Sequence, residues 1–201
     1  MPRYAVIDFE TNGLMPGQGG RALEVAAVII DGGEIVGSWQ SLMNPGGRVP
    51  RFITALTGIT PAMVRAAPPP GEVMTEVRDF VGDATLVAHN ASFDRRFWEY
   101  ELDLCGRACT SEFLCTVLIG RRLYPWATNH KLATLVELHN ILVDGRHHRA
   151  LADASMTARL FQRMQQDLTM LYAEQATQED FLQRYQRTSK AQVKSAPPFS
   201  R

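Results

Sequence analysis

The chain has 201 residues, of which 45% are hydrophobic, enough for one sizeable core or a core with a short appendage. Its formal net charge is zero, which argues against broad electrostatic wrapping of duplex nucleic acid and leaves room only for local phosphate attraction. No apolar run reaches about 18 residues, and acids at Asp8 and Glu10 interrupt the first one, so neither a membrane span nor a signal peptide is expected.

A β-branched, apolar stretch at residues 3–9 reads as a strand that ends in the glycine-rich loop 12–20. Residues 23–30 and 34–42 flank Asp31-Gly32-Gly33 and form a hairpin, so the first three strands make an antiparallel meander. From Pro50 the pattern turns helical: 51–56, then 61–65 with Pro61 in the first turn, then 71–81 after three prolines. A short buried strand is expected at 84–88, a helix capped by Ser92 and running to about 104, and a last strand at 112–116. Helices follow at 117–123, 131–139, 151–168 and about 178–187. The pattern predicts an α/β fold with a mixed five-stranded sheet flanked by helices, in a domain over 1–175. Residues 176–201 are left as a terminal helix and a flexible basic tail, since Arg184, Arg187, Lys190, Lys194 and Arg201 follow Asp180 with no acid among them. Cys105, Cys109 and Cys115 lack metal or disulfide spacing and read as reduced thiols of a cytoplasmic protein.

Three features carry chemistry. Asp8 and Glu10 are one residue apart in a strand and so emerge on one face. Two such carboxylates at about 4 Å repel by roughly 4 kcal/mol at an effective dielectric near 20. A divalent cation with a taste for hard oxygen ligands relieves that repulsion, and so does solvation on a half-exposed edge strand. Next, Asp94 falls in the first turn of the helix within VAHNASFDRRF, where the helix dipole alone favours an acid. Lastly, in GRHHRALADASM, His148 precedes Asp153 by five residues, about 140° apart on a continuous helix, so His148 belongs to the loop opened by Gly145 and Asp153 to the helix after it. His147, beside it, competes for the same assignment.

In this order, Asp8-x-Glu10, Asp94 within HNxxFD and His148-x4-Asp153 resemble the DEDDh exonuclease superfamily, which includes DnaQ-like proofreading subunits, ribonuclease T and oligoribonuclease. LTGIT at 56–60 and NHKLATL at 129–135 add to the likeness, and Arg149 stands where a sister subgroup has tyrosine. The resemblance implies a ribonuclease H-like fold and 3′→5′ hydrolysis. It makes Asp8, Glu10, Asp94 and Asp153 ligands of two divalent ions, Mg²⁺ or Mn²⁺, and His148 the base. It further implies that Thr11, Leu14, Leu56 and Thr57 hold the terminal nucleotide, with Asn90 and Phe93 as additional contacts; each of these two has an equally good structural reading, Phe93 in the core and Asn90 beside a helix cap. Two departures bear on the fit of the last base: Asn12 in place of a frequent threonine, and Phe9 between the acids where smaller residues are usual.

The expected partner is a single-stranded 3′ end, DNA in preference to RNA, with a DNA polymerase subunit or sliding clamp alongside and no membrane. RNA trimming and a silent nucleic-acid-binding module are the alternatives, and monomer and homodimer are both open.

Overall fold

A computed structural model describes residues 2–107, 112–142, 148–173, 176 and 179–198. Strands β1 (Tyr4–Thr11), β2 (Ala22–Asp31) and β3 (Glu34–Leu42) form the expected meander, with Tyr4 opposite Ile30 and Glu10 opposite Glu24. The β2–β3 connection is a two-residue turn in which Gly32 and Gly33 have φ of 59° and 89°, values that suit glycine and match the twist of a hairpin. Helices α1 (Arg51–Thr57), α2 (Pro61–Ala66) and α3 (Pro70–Val81) lead to β4 (Thr85–Ala88), which pairs parallel with β1. Helix α4 (Ser92–Leu104) precedes β5 (Phe113–Cys115), parallel to β4, and the sheet order is β3-β2-β1-β4-β5. The remaining helices are α5 (Thr116–Leu123), α6 (Leu132–Leu138), α7 (Ala150–Tyr172) and α8 (Glu179–Arg187).

Alternation along β1 divides the core. Tyr4 and Val6 pack with α5 to α8 through Ile119, Leu135, Phe161 and Leu182, whereas Ala5, Ile7 and Phe9 pack with α3 and α4 through Val77, Phe97 and Trp98. β1 is thus a central strand covered on both faces, which rules out the edge-strand explanation of its acid pair. Phe161 meets Tyr4 at 5.0 Å near the start of β1, so α7 runs back along the strand and begins where β1 ends.

Two expectations are corrected. Ser92 is not a helix cap: the chain enters α4 through Asn90 in a left-handed conformation (φ 68°), Ala91 takes the cap position, and Ser92 is already the first helical residue. The segment beyond α8 does not hang free either. The Ala196 N–H donates to Leu123 O, the Trp126 indole donates to Ala196 O, and the Ser195 hydroxyl donates to Arg122 O, each at 2.8 Å. Those anchors lie on α5 and the turn after it, and the basic side chains at 184, 187, 190 and 194 are left exposed; Arg201 lies outside the described residues. α8 also closes the sheet edge, since Gln186 accepts the Cys115 N–H (2.8 Å) and donates to Phe113 O (3.1 Å), standing in for a sixth strand. Cys105 and Cys115 are free thiols; Cys109 lies outside the described residues. Among the described residues no helix is long and apolar enough to cross a membrane.

Candidate active site

The acids meet at the C-terminal end of β1. Asp8 and Glu10 share the face turned toward α7, where Tyr4 and Val6 are buried further down the strand. β4 pairs with β1 only as far as Val6. Beyond that point the N–H of Phe9 is taken by Asp94 Oδ1 at 3.2 Å, so the first turn of α4 docks its carboxylate, 2% exposed, against the strand between the two acids. Asp153 arrives from the opposite side in the first turn of α7 and accepts the backbone N–H of His148 through Oδ2 at 3.2 Å. His148 has φ 64°, a conformation rare outside glycine, and its side chain is exposed. Ligand atoms of Glu10, His148 and Asp153 all lie within 4.8 Å of one another, close enough to share one ion.

The crowding shows in proton affinity. Burial, followed by the charges of Asp94, Asp153, Glu10 and Glu24, raises the Asp8 carboxyl well above its ordinary value. Glu10 is pushed to about 8 by burial and then by Asp153 and Glu24, against the opposing pull of Arg149. Asp94 rises to about 7 through burial, although the N–H of Phe9 and its own backbone N–H hold it down. A cluster that holds protons near neutrality for want of positive charge, built of hard oxygen donors, has the chemistry of a divalent-cation site, so the residues fit the metal that their spacing implied.

The other expected contacts are unequal. Leu14 (80% exposed) and Leu56 (47%) offer apolar surface to solvent. Phe93 is half-buried, its ring 5.0 Å from Phe97, and Asn90 is exposed at its left-handed turn. Thr11 is buried with its hydroxyl donated to Gly13 O (2.7 Å), so it shapes the loop. Thr57 is also buried; its hydroxyl donates to Ile53 O and accepts the Ile59 N–H, so that group is engaged within its own helix end. Phe9 packs on the far face beside Phe97, away from the acids, and Asn12 ties the loop to Arg21 N (2.7 Å). His147 lies outside the described residues, as does Gly145.

One residue that sequence reasoning passed over stands beside the acids. Glu24, buried on β2 directly across from Glu10, receives Arg149 Nη2 at 2.6 Å and Nε at 3.1 Å, and its Oε2 also accepts the Ala150 N–H at 3.0 Å. An isolated acid in an apolar strand, with no polar partner at i±2, was the only signal available for it.

An α/β sheet of this order with acids gathered at the end of its central strand is the ribonuclease H-like arrangement of DEDDh exonucleases. The chain matches the RNase T exonuclease family over residues 5–161, a span that includes all five of Asp8, Glu10, Asp94, His148 and Asp153, and it belongs to that family. It therefore carries an exonuclease domain, of a kind that uses divalent metal ions. It is 38% identical over 176 residues to the PolC-type DNA polymerase III of Halalkalibacterium halodurans, covering 86% of this chain and 12% of that protein. To the 3′-5′ exonuclease DinG of Bacillus subtilis it is 36% identical over 170 residues, covering 84% of this chain and 18% of the other. The chain thus spans less than a fifth of either curated relative. Among solved structures, Exonuclease X in complex with 5′ overhanging duplex DNA is similar at a TM-score of 0.71 and 30% identity, with 89% of this chain and 99% of that one covered.

Proposed function

We propose that the protein removes nucleotides one at a time from the 3′ end of single-stranded DNA and releases nucleoside 5′-monophosphates. The observation that carries this reading is the convergence of acids from three elements: Asp94 of α4 accepts the Phe9 N–H between Asp8 and Glu10 of β1, and ligand atoms of Glu10, His148 and Asp153 lie within 4.8 Å of one another. Asp8, Glu10, Asp94 and Asp153 would hold two cations, Mg²⁺ or Mn²⁺, since four carboxylates balance two dications. When bound, the ions supply positive charge against the attacking and leaving oxygens of an in-line displacement.

The chain's own groups do the rest. An imidazole nitrogen of the exposed His148 takes a proton from the attacking water, the water oxygen bonds to phosphorus, and the bond from phosphorus to the 3′ oxygen breaks. The 3′ oxygen leaves with the bonding pair and takes a proton from solvent, so the shortened strand keeps a 3′-hydroxyl. Leu14 and Leu56 pack on the terminal base and sugar, Phe93 stacks on a base, and Asn90 is a further substrate contact. These contacts are tolerant of base identity, as a nuclease of mixed sequence requires. Polymerase-type relatives support a setting beside a DNA polymerase or its sliding clamp.

The test is turnover of matched single-stranded DNA and RNA with Mg²⁺ or Mn²⁺. DNA labelled at its 3′ end should lose the label first, as a mononucleotide, and faster than RNA of the same sequence. Turnover of RNA alone would transfer the same chemistry to RNA ends, and internal cuts would remove the exonuclease reading.

A further inference from the structure

The chain at His148 is tied to β2, the strand beside the acids. Arg149, its neighbour, grips Glu24 of β2 with Nη2 and Nε, at 2.6 and 3.1 Å. The same carboxylate accepts the Ala150 N–H at 3.0 Å. The N-cap residue Arg149 makes no side-chain cap of its own on α7, and Glu24 caps the helix from a position 126 residues away. A carboxylate at a helix N-terminus is also favoured by the dipole. Glu24 is 1% exposed and sits in register with Glu10, so the pair references the start of α7 to the strand that bears the acids. Two contacts adjoin this point, Arg149 on Glu24 and the His148 N–H on Asp153, and the backbone at 148 is left-handed there.

We infer that Glu24 and Arg149 are positioning residues for the reaction: bidentate pairing of Arg149 with Glu24 fixes the height and direction from which His148 reaches the attacking water. This rests on the reading of His148 as the base. Misplacement of a reacting group by about 1 Å can cost on the order of 100-fold in rate. Arginine's planar fork supplies the fixed geometry, and lysine, with the same charge, does not.

The experiment uses Arg149→Lys, Glu24→Gln, His148→Ala and the double variant His148→Ala/Arg149→Lys, with kcat and KM on single-stranded DNA, Mn²⁺ affinity by calorimetry and melting temperature. Arg149→Lys is expected to lower kcat by about 10- to 100-fold. Its KM and Mn²⁺ affinity should stay within about threefold of wild type. In the His148→Ala background the same substitution should cost less than about twofold, because the group it positions is gone. Glu24→Gln, checked for a cooperative melt, should reproduce the kcat loss. An equal loss in both backgrounds, an effect confined to KM, or an unchanged kcat in Arg149→Lys overturns the inference and leaves the nuclease reading standing. A His148→Ala variant with wild-type kcat overturns the assignment of the base and the inference with it.

Discussion

Without metal, the protein should lose stability as the pH rises from about 6.5 to about 8. Glu10 titrates near 8 in the fold against an ordinary 4.5, so the folded state holds a proton that the unfolded chain has already released. A group whose affinity is raised by folding stabilises below its unfolded pKa, and that stability drains away as pH climbs through the folded value. His89 and His139 act in the opposite sense: burial lowers both to about 4, so their contribution grows up to about 6.5 and is then complete. Above that point the carboxyls dominate. For Glu10 alone the loss across the window is between about 1.5 and 2 kcal/mol, or roughly 3–8 °C of melting temperature for a chain of this size, and Asp94 adds to it at the lower end. Thermal unfolding in EDTA at four pH values measures this, and repetition with Mn²⁺ should flatten the slope. A melting temperature in EDTA that is flat or rising over the window, or a slope unchanged in Glu10→Gln, would refute the electrostatic account of the cluster.

Asp8→Ala and Asp153→Ala should abolish turnover with little loss of fold, since each removes a metal ligand and little packing; turnover by purified Asp8→Ala protein would contradict the ligand assignment. His148→Ala is expected to slow the reaction by about 10²–10⁴-fold and to leave Mn²⁺ affinity unchanged. Gln186→Ala strips the Cys115 N–H of β5 of its partner from α8 and should cost about 1–3 kcal/mol in urea denaturation, with activity retained at low temperature. A neutral Gln186→Ala would mean that water replaces the amide at the sheet edge.

Local pattern carried most of the fold. Alternation marked the meander, the Gly32-Gly33 turn set its first hairpin, and proline and glycine punctuated the helices, so the elements lie within a few residues of their expected bounds. Strand parity alone placed Asp8 and Glu10 on one face, and helix periodicity separated His148 from Asp153. What local pattern could not carry were polar contacts between distant segments. Glu24 looks like any acid in an apolar strand until Arg149, 125 residues on, is beside it. Gln183 and Gln186 look like the solvated face of a helix, yet both reach Phe113 on β5. The tail read as flexible from its charge and its prolines, because the carbonyls that receive its hydrogen bonds belong to α5. At Thr57 and Phe9 the family likeness gives a position, whereas burial decides which way the side chain turns.

The most direct test of the central claim is anomalous diffraction at the manganese edge from crystals soaked in Mn²⁺. Two peaks about 3.5–4 Å apart are expected, enclosed by the carboxylates of Asp8, Glu10, Asp94 and Asp153, with the imidazole of His148 beside them and not in the coordination sphere. Ordered crystals with no manganese between Asp8 and Asp153, or with the ion seated on other residues, would contradict it.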